Sequence, residues 1–110
     1  MGDITTRDEI ITKKILSEIS EIDLFTANMS ESDFYADSKT QKAVVMTLIN
    51  IGELSKSYTD EFITLNKNIP WKKVQAMRNV AAHRYEAVNM EIVWDTVKVS
   101  VVELKKELMA

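Results

Sequence analysis

Isoleucines and leucines recur every three or four positions early in the chain, at Ile11, Ile15, Leu16, Ile19 and Ile22, with Lys13, Lys14, Glu18 and Glu21 between them. That is the period of a helix with one buried face. Thr6 followed by Glu9 matches a capping box, in which hydroxyl and carboxylate each satisfy a free amide, so the spacing predicts a helix from Thr6 to about Asn28. Ser30, Glu31, Ser32 and Asp33 interrupt the pattern ahead of Phe34 and Tyr35, leaving room for a short extra helix around Ser32 to Ala36. Asp37 then suits the cap of a second long helix, from Ser38 to about Ser57, with Val44, Val45, Leu48, Ile51 and Leu54 on its apolar face. Gly52 lies inside that helix at a cost of ~1 kcal/mol relative to alanine. A glycine kept there usually means that another backbone comes close.

Pro70 fits the first turn of a third helix, where its missing amide hydrogen costs nothing. Trp71, Val74, Met77, Val80 and Ala81 supply its apolar face as far as about Arg84. Asn89 can cap a fourth helix, with Trp94, Val97, Val101, Leu104 and Leu108 three or four positions apart, running to near the C-terminus. No segment alternates strictly as a half-buried strand does, no repeat is visible, and no low-complexity linker divides the chain. The expected fold is all-α: a single domain over residues 1–110, built as an antiparallel bundle of four long helices with a possible short extra one.

Composition agrees. The chain has 110 residues, enough for one core, and only two glycines and one proline, so turns must be scarce. With no cysteine and one histidine, zinc sites made of thiolates or paired imidazoles are excluded within one chain, and no metal or other cofactor is expected. An all-carboxylate site is the one metal chemistry left. Glu91 and Asp95 form an i,i+4 acidic pair, but no third ligand accompanies them, and a solvated face accounts for them. Apolar runs such as Ala43 to Met46 fall far short of the ~20 residues that span a bilayer, so no membrane is expected as a partner. The start, Met1-Gly2-Asp3, lacks the basic and apolar regions of an export signal, and the expected location is cytoplasmic.

Charge changes the picture more. The net charge is −3, yet from Phe62 through Tyr85 there is no acidic residue, while Lys67, Lys72, Lys73, Arg78 and Arg84 lie there, so the rest of the chain carries −8. The net charge argues against a protein that coats nucleic acid through bulk charge, but it leaves a local basic surface on an acidic body. At ~100° per residue, Arg78, Ala82, Asn79 and His83 fall at about 0°, 40°, 100° and 140°, away from an apolar face centred near 280°. They make one polar sector, with small Ala82 between Arg78 and His83, and with Tyr85 two turns from Arg78. By geometry alone, a solvated helix face is the simpler account of these residues. Lys72 and Lys73 could guide phosphates, although lysines at a helix start more often only solubilise.

The run Arg78-Asn79-Val80-Ala81-Ala82-His83-Arg84-Tyr85 resembles the R-x4-H-x-Y signature of the HEPN superfamily, specifically the HepT-like toxins of MNT/HEPN toxin–antitoxin pairs. Ile51-Gly52-Glu53-Leu54 resembles an element of that family's second long helix. Ile69-Pro70-Trp71 followed by Met77-Arg78-Asn79 is similar to another, and Val88-Asn89 before Ile92-Val93-Trp94 is similar to the entry of its last helix. The likeness covers roughly residues 8 to 108 in order. Ala76, Arg84 and Glu86 depart from it, standing where glycine, an acidic residue and an aromatic are frequent.

The resemblance implies a metal-independent endoribonuclease, active as a homodimer, with RNA as substrate and Arg78 and His83 facing a shared cleft. An unperturbed imidazole ionises near ~6.5 and can take the 2′-hydroxyl proton of RNA, while an arginine stabilises the phosphorane. Because one chain has one imidazole, an acid and a base of that type would need His83 from each of two subunits. The resemblance further implies that Tyr85 accepts AMP from a partner nucleotidyltransferase of the MNT type, the antitoxin. Asn79 has a supporting part, orienting His83, and Lys72, Lys73 and Arg84 are weaker candidates for RNA phosphate contacts. Glu53 reads as a helix-interior polar group held by some partner, with an ion pair to Arg78 the less favoured arrangement. A non-catalytic helical partner of a separately encoded nucleotidyltransferase is the alternative function.

Overall fold

Apolar residues at helical spacing drive the long elements, and the computed structural model describes residues 6–82 and 89–110 of the chain. Helix α1, Thr6–Phe25, buries Ile11, Ile15, Ile19 and Ile22. It stops a turn before the expected Asn28, and the chain leaves through Asn28 at φ 60°, a left-handed conformation that asparagine tolerates better than most residues. Helix α2, Glu31–Tyr35, is the short extra helix, and the serines and acids that break the α1 pattern are its cap: Ser30 accepts from the Asp33 amide while Asp33 accepts from the Ser30 amide. Helix α3, Ser38–Ser55, starts at Asp37, which accepts from the Thr40 amide at 3.0 Å and from the Thr40 hydroxyl at 2.7 Å.

Helix α4, Asp60–Leu65, is absent from the periodicity. Thr59 caps it by accepting from the Phe62 amide. Helix α5, Trp71–Ala82, follows Pro70, whose carbonyl accepts from the Lys73 and Val74 amides. The last long helix comprises α6, Met90–Asp95, a π-helical turn over Thr96–Ser100, and α7, Val101–Met109, with helical dihedrals continuous across both junctions. Asn89 caps it as expected, accepting from the Glu91 amide. In the π turn the Val101 amide reaches back to the Thr96 carbonyl, and the Thr96 hydroxyl donates to the Ile92 carbonyl at 2.7 Å.

The result is the all-α bundle that the pattern predicts. Helix α3 is central, packed most extensively on α5 and then on α1. Helices α1 and α3 run antiparallel: Asp8 near the start of α1 reaches Thr59 beyond the end of α3, and Glu18 accepts from Asn50 at 2.8 Å. The core joins the apolar stripes of α1 and α3 to Val74 and Met77 of α5 and to Val93, Val97, Val101 and Leu104 of the last helix. Each such side chain, fully buried, contributes ~1.5–3 kcal/mol. Trp94 stacks near Phe34, with ring centroids 5.1 Å apart, and Lys98 lies over the Trp94 ring. Among the described residues, no helix is long and apolar enough to cross a membrane.

A second, polar joint holds α4. The Asp8 carboxylate, fully buried, accepts from the Thr59 amide at 2.9 Å and the Thr59 hydroxyl at 2.7 Å. Beside it Tyr58 stacks on Phe62 at 4.2 Å and bonds Thr12 through its hydroxyl at 2.8 Å. Burial pushes the Tyr58 phenol up, against the opposing hydrogen bond from Thr12.

Candidate active site

Helix α5 carries the described part of the polar sector, and its approach to the bundle is set at its first turn. Ile69 is buried, and Trp71 packs edge-on against Tyr58 and Phe62 while its indole N–H donates to the Asn66 carbonyl at 3.0 Å. These contacts fix where α5 starts. Val74 and Met77 then point to the core, which turns Arg78 and Asn79 outward, and both are exposed. His83, Arg84 and Tyr85 lie outside the described residues.

The backbone approach expected at Gly52 occurs, and its partner is Arg78 itself. A Cβ built at Gly52 would lie 2.7 Å from the Arg78 amide nitrogen. With the two helices that close, Glu53 reaches the guanidinium, and Arg78 Nε lies 3.2 Å from Glu53 Oε2. The ion pair that the sequence favoured less is therefore the one formed. The reason is that Gly52 sets α5 against α3 at the turn of Arg78, so the residue after the glycine is within reach. Both side chains remain close to half exposed, so the pair is worth only ~0–1 kcal/mol to folding.

The two lysines of α5 do not act as a pair. Lys73 lines a groove of about 180 Å³ between α5 and the last helix, together with Ala76, Met77, Ile92, Thr96 and Ser100. Lys72 falls at about 120° round the helix from Arg78, close to Asn79 at about 100°, whereas Lys73 falls near 220°, on the opposite flank. Cations in the first turn oppose the helix dipole. Helix stability is therefore not what these lysines serve.

Glu91 and Asp95 are exposed, as a solvated face requires. Their charges reach Tyr35, whose phenol is pushed up to about 12, first by donating to Glu31 at 2.6 Å and further by these anions. Among the described residues no group of three or more His, Cys, Asp or Glu side chains is placed to hold a metal ion. A hollow of about 270 Å³ between α1, α4 and the chain end, lined in part by Thr12, Phe62 and Glu107, contains none of the candidate residues. The buried Asp8–Thr59 joint escapes sequence reasoning because neither residue belongs to a motif or a periodic face.

Comparison with known proteins shows the family of the chain. The family model described as ribonuclease HepT-like matches residues 15–110. A candidate RNase of Methanocaldococcus jannaschii is 40% identical over 83 residues, which cover 76% of this chain and 69% of the relative. A candidate ribonuclease HepT of Thermococcus cleftensis is 38% identical over 97 residues, covering 84% of this chain and 88% of the relative. A candidate RNase of Caldanaerobacter subterraneus is 35% identical over 80 residues, covering 73% and 71%. No solved structure matches the chain significantly.

Proposed function

Because the chain belongs to the HepT-like ribonuclease family, we propose that it is a metal-independent endoribonuclease, the toxin of a toxin–antitoxin pair, acting as a homodimer on RNA. His83 takes the proton of the 2′-hydroxyl, whose oxygen attacks the adjacent phosphorus, and Arg78 stabilises the charge that builds on the phosphorane oxygens. The 5′-oxygen leaves with a proton, from His83 of the second subunit, and the other product ends in a 2′,3′-cyclic phosphate. Asn79 orients the imidazole, and Lys72 and Arg84 guide the strand.

The observation that carries this reading is Arg78, at the head of an R-x4-H-x-Y run in a member of this family, exposed on α5 and tied to α3 through Glu53. Silencing follows the same chemistry. The Tyr85 phenol oxygen attacks the α-phosphate of ATP on a partner nucleotidyltransferase, the phosphotyrosyl bond forms, and pyrophosphate leaves. An anionic adduct on Tyr85, seven residues along the chain from Arg78, then competes for the phosphate position.

Cleavage of a mixed RNA pool by the native chain, His83→Ala and Arg78→Ala tests the assignment. A positioned base contributes ~10²–10⁴-fold and an oxyanion-stabilising donor ~10²–10³-fold, so each variant is expected to lose at least ~100-fold. Cleavage should survive EDTA. Equal cleavage by all three proteins would remove the catalytic roles, and cleavage by none would favour the non-catalytic partner of a nucleotidyltransferase. With that enzyme and ATP, the intact mass should rise by AMP units for the native chain and stay fixed for Tyr85→Phe, a control that also excludes exposed Tyr35 as acceptor.

A further inference from the structure

Two adjacent residues of α3 converge on one residue of α5. Gly52 has no side chain where a Cβ would stand 2.7 Å from the Arg78 amide nitrogen and 2.8 Å from the Arg78 Cβ. Backbone atoms cannot swing aside as a flexible side-chain tip can, so the bare α-carbon is what permits this packing. Glu53, the next residue, then meets the guanidinium at Nε, 3.2 Å away. An ion pair 44% and 47% exposed adds little to folding. Its effect lies in where it holds the arginine.

We infer that Glu53 is a positioning residue for Arg78, its carboxylate holding the Nε edge of the guanidinium so that the outer edge, formed by the two Nη nitrogens, faces an RNA phosphate. The guanidinium is planar with five N–H groups, and a carboxylate at the Nε edge engages at most two of them. The outer edge keeps the fork geometry that fits two phosphate oxygens. A free arginine would lose rotamer freedom on meeting the phosphate, whereas one already paired with Glu53 has lost part of it on folding. The same carboxylate also repels the phosphate. Its removal therefore has two opposed effects, weaker orientation and stronger attraction, and a merely structural residue would produce neither alone. The phosphate in this argument rests on the ribonuclease reading, but the held arginine does not.

The test is the steady-state kinetics of RNA cleavage by native protein and Glu53→Ala, with both also made in the Arg78→Ala background. In Glu53→Ala, kcat should fall about 10-fold, less than on loss of Arg78 itself, while KM stays level or falls and the melting temperature is unchanged. Without Arg78, the same substitution should change kcat no further. Glu53→Gln, which keeps an acceptor oxygen, should lie between. An unchanged kcat overturns the proposal, and so does a raised one, which would make Glu53 a competitor of the phosphate. If native protein cleaves no RNA, the ribonuclease reading fails and the nitrogen-15 resonance of the Arg78 Nε–H group decides the positioning role by itself. Movement of that signal to the free-arginine position in Glu53→Ala upholds it, and an identical signal in both proteins overturns it.

Discussion

Replacing Gly52 with alanine sets two effects against each other. A helix-interior alanine is favoured over glycine by ~1 kcal/mol, whereas its methyl carbon would stand 2.7 Å from a backbone nitrogen of α5 and force the helices apart. Overpacking of that kind costs ~1–3 kcal/mol, and no flexible side-chain end is available to yield. The steric effect wins. Urea denaturation of Gly52→Ala should show a net loss of up to about 2 kcal/mol, with RNA cleavage reduced because Arg78 moves with its backbone. A variant more stable than the native chain would mean that α5 does not press on α3 at this point.

At the scale of elements, each long helix except α1 has a described start whose chemistry is visible. Asp37 shows how such a start responds to pH. Its carboxyl lies below the ordinary aspartate value because the Thr40 amide, and then the Thr40 hydroxyl, donate to the charged form. A group depressed on folding stabilises the protein above its unfolded pKa, and that contribution is lost as pH falls through the folded value. Asp37→Ala should therefore melt lower than the native chain at neutral pH, and the difference should shrink as pH drops below the usual aspartate range. A difference that stays constant down to strongly acid pH would show that the cap does not act through its charge. The π turn at Thr96–Ser100 carries a different lesson. The side-chain bond from Thr96 to the Ile92 carbonyl accompanies a widened turn, on whose near side lies the groove that holds Lys73.

For the whole molecule, the sign of charge along the chain and the copy number of histidine matter most. Lys72 shares a flank of α5 with Asn79 and Lys73 does not, so only Lys72 is expected to meet RNA on the Asn79 flank. Each phosphate contact adds ~0.7 to the salt slope of single-strand binding. Binding of a 2′-deoxy-substituted, uncleavable RNA should thus lose ~0.7 of its slope in Lys72→Ala and keep it in Lys73→Ala. Equal changes in both would place the strand across the end of α5 instead of along one flank. The chain has one imidazole, and acid and base catalysis by imidazole calls for two, so sedimentation at micromolar concentration should show a dimer. A single species of 12.6 kDa would rule out a shared cleft.

Helix spacing is a local property, which is why Ile11, Ile15, Ile19, Ile22, Val44, Leu48, Val97 and Leu104 could be assigned to the core from their intervals, and why Asp37 and Asn89 announced the helices they cap. The outward placement of Arg78 and Asn79 followed from the same periodicity. Helix α4 escaped because six residues are too few to show a period, and its cap, Thr59, gains meaning only beside Asp8, 51 positions away. The sequence could say that some backbone comes close to Gly52, and that Glu53 has some partner. Only the tertiary structure decided that both concern Arg78, because a local pattern tells which face of a helix is buried but not which turn of a second helix will lie against it.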